Sequence, residues 1–282
     1  MNYKMVRAGV DYSTRPPDWN VFARELLERD RTFVGRYLSS RVKGATSEEI
    51  AAMRAAGIDM FFWWETTETR ALAGKSAGAA DAKSALAFLR QLGAPETTPV
   101  YYTVDTDTTG LSVRDYFEGI AQVVPLRQIG AYGGYRVIKY LFDHGLVTYG
   151  AQTEAWSYLD GRWPTPPRWD PRAQLRQWTV HKGPAAPVTV CGVVCDGLEA
   201  MAPDFGQWRL QGDKEDEMAD ELARLARVTE VADSFDRAAD HAYQREIIKR
   251  LGGDPTVADE ILAAKATDVE AERRRLGLIQ DE

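Results

Sequence analysis

The feature that most limits the fold of this chain is an alternation of short apolar segments with amphipathic ones. Eight segments rich in β-branched and aromatic residues have the length and composition of buried strands. Most of the segments between them have helical periodicity and residues typical of helix boundaries. Asp18 precedes the first of these helical segments, and Gly57 and Gly93 follow the second and the third. The predicted strands are 8–13, 32–38, 58–65, 99–108, 128–134, 150–156, 173–178 and 193–196.

This alternation predicts an α/β fold, most directly a (β/α)8 TIM-type barrel that need not be fully regular. Helices are expected between at least the first six strands. A doubly wound open sheet is the alternative, because it uses the same alternation without closing. We assign the barrel to residues 1–212. The remaining residues, 213–282, are predicted to form a charged helical appendage.

The appendage carries the net charge of the protein. It has 19 acidic and 11 basic residues, a balance of −8, whereas residues 1–212 carry +1. Apolar residues recur in it every three or four positions, which predicts helices with apolar stripes. A helix pair of this size buries little by itself, so we expect it to cover the barrel, bind a partner protein or bind a second copy. This charge distribution argues against nucleic-acid binding.

The composition is that of a globular protein, with 44% hydrophobic and 27% charged residues. The first residues contain no apolar signal core, and no apolar run is long enough to span a membrane. We therefore expect synthesis in the cytoplasm without a signal peptide. A target outside the cell would be reached by lysis, on a delivery particle such as a virion, or by an uncleaved route.

Cysteine and histidine give no metal pattern. Cys191 and Cys195 are four residues apart, which fits neither a zinc pair nor a redox motif, and His144, His181 and His241 are scattered. We expect no metal and no cofactor. The two cysteines form either a local disulfide or two buried thiols.

The strongest functional pattern is a set of acidic residues at predicted strand ends. Asp105 and Asp107 close the strand 99–108, and residues two apart on a strand share a face about 6.6 Å apart, which leaves room for a sugar and a water. The alternative is a turn that caps the next helix. In a barrel, Asp11, Glu65 and Asp196 would join them at one rim and raise the pKa of at least one carboxyl.

Aromatic residues accompany these acids and are candidates for contacts with sugar rings, although core packing is the alternative for some of them. Because side chains alternate along a strand, Trp63 is expected to face the barrel interior with Glu65, and Trp64 to face the helices. The predicted substrate-binding residues are Tyr12, Trp63, Tyr132, Tyr135, Trp156 and Trp178.

An ordered set of motifs over residues 8–205 resembles the glycoside-hydrolase-like family called domain of unknown function 1906. The motifs are Val-Asp-Tyr-Ser at 10–13, Phe-Val-Gly-Arg-Tyr-Leu at 33–38, Tyr-Thr-Val-Asp-Thr-Asp at 102–107, Gly-Ala-Tyr-Gly-Gly-Tyr at 130–135, Gln-Leu-Arg-Gln-Trp at 174–178 and the late Asp196. That family is similar to the family 25 lysozymes, which cleave the bond between N-acetylmuramic acid and N-acetylglucosamine.

The resemblance implies catalytic roles for Asp11, for Asp105 with Asp107, and for Asp196. In the lysozymes the position of Asp107 holds a glutamate that serves as general acid, so the shorter Asp107 is a departure. Glu65, which no lysozyme motif covers, is the candidate replacement. Either Asp107 or Glu65 would protonate the leaving oxygen, and Asp105 would stabilise positive charge on the sugar or assist attack by its N-acetyl group.

These observations predict a peptidoglycan-directed glycoside hydrolase of the muramidase type, with glycan strands of the bacterial cell wall as substrate. The altered position at Asp107 keeps two alternatives open. One is a saccharide-binding barrel without catalysis, and the other is a structural assembly protein with an inert barrel.

Overall fold

The computed structural model describes residues 5–158, 167–179 and 186–210. Seven of its strands pair in parallel in chain order, and five α-helices separate the first six. These strands are β1 (Arg7–Asp11), β2 (Arg31–Tyr37), β3 (Asp59–Trp64), β4 (Val100–Thr103), β5 (Ile129–Gly133), β6 (Tyr149–Thr153) and β7 (Leu175–Trp178). The helices are α1 (Trp19–Glu28), α2 (Ser47–Ala56), α3 (Lys75–Leu92), α4 (Gly110–Ile120) and α5 (Tyr135–Asp143).

Two further strands, β8 (Val188–Val190) and β9 (Val193–Ala200), form a hairpin, and β9 closes the barrel between β7 and β1. The predicted eight-stranded barrel is therefore confirmed, and the open sheet is excluded. The eighth barrel strand, however, is antiparallel to both neighbours. The reason is the turn at Cys191 and Gly192, with φ of 47° and 78°, because such a two-residue turn joins antiparallel strands only.

The same hairpin decides between the two alternatives for the cysteines. Both thiols are free, so there is no disulfide. Cys195 is buried in the helix-facing core, as expected, but Cys191 is partly exposed in the turn.

Side-chain alternation divides the core into two layers. The barrel interior holds mostly aromatic residues, and a second cluster fills the space between strands and helices. The largest interior residues are Phe33, Phe61, Trp63, Tyr101, Tyr132 and Phe205. Gly35 makes room for the interior rings, because a Cβ there would lie 2.5 Å from the Phe61 ring and 2.9 Å from Trp63 Nε1. The interior is therefore packed with side chains.

The helix boundaries follow the expected chemistry. Asp18 caps α1, and its Oδ1 accepts from the amides of Asn20 and Val21 at 2.8 and 3.0 Å. Gly57 and Gly93 end α2 and α3 in the left-handed conformation, each with φ of 71°. Within the described residues, no helix is long and apolar enough to cross a membrane. The predicted appendage, 213–282, lies outside the described residues.

Candidate active site

Four of the five predicted acidic residues meet at one rim of the barrel. Asp11 ends β1, while Glu65 and Asp105 follow β3 and β4. Asp196 lies in the first half of β9, and because β9 runs in the opposite direction, this half lies where the parallel strands end. Four sequence-distant carboxyl groups therefore surround the mouth of the barrel.

Asp11 and Asp196 are the most closely coupled of these residues. They are direct partners in the β1–β9 pair, and both line the same cavity. Burial and the neighbouring Asp196 raise the pKa of Asp11 well above its ordinary value, and burial and Asp105 raise the pKa of Asp196. Two carboxylates so close cannot both ionise readily, so the pair retains a proton at a pH where an exposed aspartate has lost it.

A hydrogen-bonded chain holds Asp11 in place. The Tyr132 hydroxyl donates to Gln177 Oε1 at 2.7 Å, and Gln177 Nε2 donates to Asp11 Oδ2 at 2.7 Å. The bond from Gln177 favours the ionised form of Asp11 and lowers its pKa, as does the charge of the buried Arg36. These two effects oppose burial and Asp196 without cancelling them.

The other two rim acids have partners of different kinds. Asp105 Oδ1 accepts a hydrogen bond of 3.0 Å from Trp156 Nε1. Glu65 forms an ion pair with Lys43, whose ammonium group lies 4.6 Å from the centre of the Tyr37 ring. Asp105 therefore keeps one oxygen free of side-chain partners in the described structure, whereas Glu65 is held by a cation.

Asp107 does not join this group, which corrects the expectation that it shares a face with Asp105. Strand β4 ends at Thr103, so both aspartates lie in the following loop, where the two-residue alternation of a strand no longer applies. Asp107 is 60% exposed and forms an ion pair with Arg136 on α5. It lines neither cavity at the mouth.

Two adjoining cavities occupy the mouth. The hairpin cavity, of about 390 Å³, is lined by Asp11, Tyr12, Ser13, Thr14, Tyr37, Gly192, Val194 and Asp196. The inner cavity, of about 180 Å³, is lined by Tyr37, Trp63, Glu65, Thr103, Asp105, Tyr132, Ala155, Gln177, Thr179 and Asp196. Tyr37 and Asp196 belong to both, so they mark the junction. Together the cavities have the size of a small-ligand site, which is roughly 300 to 1,000 Å³.

Three of the predicted aromatic residues reach this site. Trp63 and Tyr132 line the inner cavity with their ring centres 5.3 Å apart, and Trp156 contacts Asp105. Trp64 packs against Phe88 of α3, as the alternation of side chains predicts. The interior face of β3 therefore supplies one wall of the site.

The other three predicted aromatic residues are placed differently. Tyr12 lines the hairpin cavity, but its ring lies in the helix-facing core, where it packs on Phe22 and its hydroxyl donates to Glu49. Trp178 follows Gln177 on β7 and points outward onto Trp169, with ring centres 5.2 Å apart.

Tyr135 begins α5 instead of following a strand, and it lines neither cavity. Its ring is covered by the guanidinium of Arg168, 4.7 Å from the ring centre. Local packing therefore holds all three of these rings; Tyr12 still lines the hairpin cavity, whereas Tyr135 and Trp178 line neither cavity, which corrects the expectation for those two.

Sequence reasoning missed three residues of the site: Tyr37, Gln177 and Lys43. Side-chain alternation on β2 places Tyr37 on the interior face with Phe33, and alternation on β7 does the same for Gln177 with Leu175. This signal was available, because both residues belong to quoted motifs. Lys43 precedes α2, outside any strand, and no periodicity indicates its position.

Tyr37 has the most unusual surroundings of the three. Burial raises the pKa of its phenol far above the usual value, and Asp11, Glu65, Asp196 and Asp105 raise it further. The phenol therefore stays protonated and can donate a hydrogen bond at any physiological pH. In the described part of the chain, no three His, Cys, Asp or Glu residues are placed to hold a metal ion.

Comparison with known proteins gives a family match for most of this barrel. The family described as Rv2525c-like, glycoside hydrolase-like domain matches residues 24–197. This agrees with the resemblance found in the sequence motifs. Among curated proteins, none matches the chain.

Solved structures give the same fold. The Tat-secreted protein Rv2525c of Mycobacterium tuberculosis, in complex with L-tartrate, has a TM-score of 0.60 and 21% identity, covering 72% of this chain and 99% of that one. The spore cortex lytic enzyme SleM of Clostridium perfringens has a TM-score of 0.46 and 15% identity, with coverages of 70% and 68%. A family 25 glycosyl hydrolase of Bacillus anthracis has a TM-score of 0.41 and 12% identity, with coverages of 72% and 92%.

Proposed function

Because the chain belongs to the Rv2525c-like, glycoside hydrolase-like family, we propose that its barrel mouth binds glycan strands of peptidoglycan and hydrolyses a glycosidic bond in them. The observation that carries this proposal is the Asp11–Asp196 pair, two directly opposed carboxyl groups with raised pKa values at the barrel mouth, beside Asp105. Glycosidases need one carboxyl group that keeps its proton and one that is ionised.

Asp196 is the proton donor in this scheme, because it lines both cavities and so reaches a bond that crosses their junction. Its proton passes to the bridging oxygen as the bond from that oxygen to the anomeric carbon breaks. Asp105 stabilises the positive charge that develops on the sugar, either directly or by orienting the N-acetyl group of the substrate for attack. Water then adds to the anomeric carbon and returns a proton to the Asp11–Asp196 pair.

This assignment replaces Asp107 and Glu65 as candidate donors. Asp107 is turned to the surface by Arg136, and the Glu65 carboxylate is engaged by Lys43. Asp11 acts through Asp196, because the two carboxyl groups share one proton and the hydrogen bond from Gln177 favours the ionised form of Asp11.

The proposed place of action is the bacterial cell wall, reached after lysis or on a delivery particle such as a virion. Rv2525c is described as Tat-secreted, so that protein also leaves the cytoplasm, although by another route than the one proposed for this chain. The proposed protein partner, or second copy, binds through residues 213–282, outside the described residues.

A second candidate function is saccharide binding without hydrolysis. Asp107 favours it, because this residue occupies the position at which the lysozymes have their glutamate acid, and it is both short and surface-exposed. The two functions differ in one product only, the reducing ends that hydrolysis creates.

The test compares wild type, Asp105→Asn and Asp107→Asn on purified cell wall. We expect wild type to release reducing ends, Asp105→Asn to lose activity by about a hundredfold or more, and Asp107→Asn to stay within about twofold. Thermal melting confirms that each variant is folded. Glycan binding by all three proteins with no reducing ends from any of them would support the second candidate and contradict hydrolysis.

A further inference from the structure

Tyr37 supplies an unused hydrogen-bond donor at the junction of the two cavities. Its side chain lines both cavities, and its ring is held beneath the Lys43 ammonium group at 4.6 Å. Among the described residues, its hydroxyl has no hydrogen-bond partner, although the four rim acids line the same two cavities.

Four other side-chain donors beside the rim acids are engaged within the site. Each donates to an acid or to the residue that holds one: Trp156, Gln177, Tyr132 and Lys43. A glycan carries many hydroxyl groups that donate to carboxylates, but its bridging oxygen only accepts. Tyr37 and Asp196 line both cavities, so the Tyr37 phenol and the Asp196 carboxyl of the proton-holding pair can face such an oxygen at the junction.

We propose that the Tyr37 hydroxyl donates a hydrogen bond to the bridging oxygen of the glycan, where the strand crosses from the inner cavity to the hairpin cavity. This inference rests on the proposed function, because it assumes that one sugar of the glycan occupies each cavity. An acetal oxygen has two lone pairs, so it can accept from Tyr37 and from Asp196 together. Tyr37 then fixes which bond lies beside the proton donor.

The test measures the affinity of two ligands in the full-length chain carrying Asp105→Asn, so that neither ligand is hydrolysed. One ligand is a tetrasaccharide of N-acetylated amino sugars, and the other has sulfur in its central bridge. Sulfur is a weak hydrogen-bond acceptor, so a hydrogen bond to the bridging atom would strengthen binding of the oxygen-bridged ligand only. Tyr37→Phe removes only the hydroxyl. Tyr149→Phe is the matched control, because its hydroxyl donates to Asp204 at the other end of the barrel.

We expect Tyr37→Phe to weaken binding of the oxygen-bridged ligand about fivefold, the effect of one neutral hydrogen bond, and to change binding of the sulfur-bridged ligand by less than about twofold. Tyr149→Phe should change neither affinity. Equal losses for both ligands would place the hydroxyl on another part of the glycan and overturn the inference, as would no loss for either.

Two further outcomes also test the inference. If Tyr37→Phe does not fold, as judged by melting, the protein with its native Tyr37 must still prefer the oxygen-bridged ligand, and equal affinities would overturn the inference. If the protein binds neither ligand, the proposed function fails and the inference fails with it. Binding with no dependence on the bridge atom contradicts only the role of Tyr37.

Discussion

Asp11 and Asp196 lie directly opposite each other in the antiparallel β1–β9 pair, with both carboxyl groups on the inner face of the barrel. Like charges at such a position repel, and the strands hold them together. The closure of the barrel therefore builds the proton-holding pair: the strand that seals the sheet supplies the second acid.

The first prediction concerns the stability cost of the pair. The pKa of Asp11 is raised in the folded protein, so its stabilising contribution is complete below the unfolded value, about pH 3.9, and is lost as pH rises through the folded pKa. Asp11→Asn cannot ionise and should therefore melt at a higher temperature than wild type at pH 7. The difference should disappear near pH 3. A difference that is independent of pH would mean that this carboxyl does not titrate with a raised pKa.

The second prediction concerns Gln177. Its hydrogen bond lowers the pKa of Asp11, so Gln177→Met should raise that pKa and move the alkaline limb of glycan hydrolysis to higher pH. The substitution also leaves the Tyr132 hydroxyl without its acceptor, which should cost about 1 to 3 kcal/mol in urea unfolding. If Gln177→Met destabilises the protein but leaves the alkaline limb of the pH–activity profile unchanged, Gln177 supports the barrel without tuning the acid pair.

The third prediction concerns the ion pair beneath the site. Arg36 and Glu49 are both fully buried, and Glu49 also accepts from Tyr12. Removing one partner leaves an uncompensated buried charge, so Glu49→Gln should lower the free energy of unfolding by about 3 to 5 kcal/mol. Glu48→Gln, at the exposed neighbouring position, should change it by less than about 0.5 kcal/mol. Similar effects of the two substitutions would contradict a structural role for the buried pair.

The fourth prediction concerns the appendage, 213–282. Truncation after Gly212 should leave a folded barrel with its glycan chemistry and should reduce the solution mass of any assembly. Burial of a large apolar side chain contributes about 1.5 to 3 kcal/mol, which exceeds screened repulsion between exposed carboxylates. Loss of the barrel fold on truncation would show that the apolar stripes cover the barrel instead.

Sequence patterns predicted the barrel, its first five helices and four of the acids at its mouth, because strand alternation and helix caps are local properties. The same alternation, applied more strictly, would have turned Trp178 outward beside Gln177 and shown Tyr37 facing inward. Asp107 was misplaced because the strand β4 ends at Thr103, four residues before it. The direction of β9 could not be predicted, since it depends on a turn in which Cys191 adopts a positive φ of 47°.

The most direct test of the account is release of reducing ends from purified cell wall by folded wild-type protein, measured from about pH 4 to about pH 8. A proton held by the Asp11–Asp196 pair predicts hydrolysis that persists above the ordinary aspartate range, near pH 3.9, and then declines as the pair ionises. Glycan binding without reducing ends at every pH in this range would contradict it.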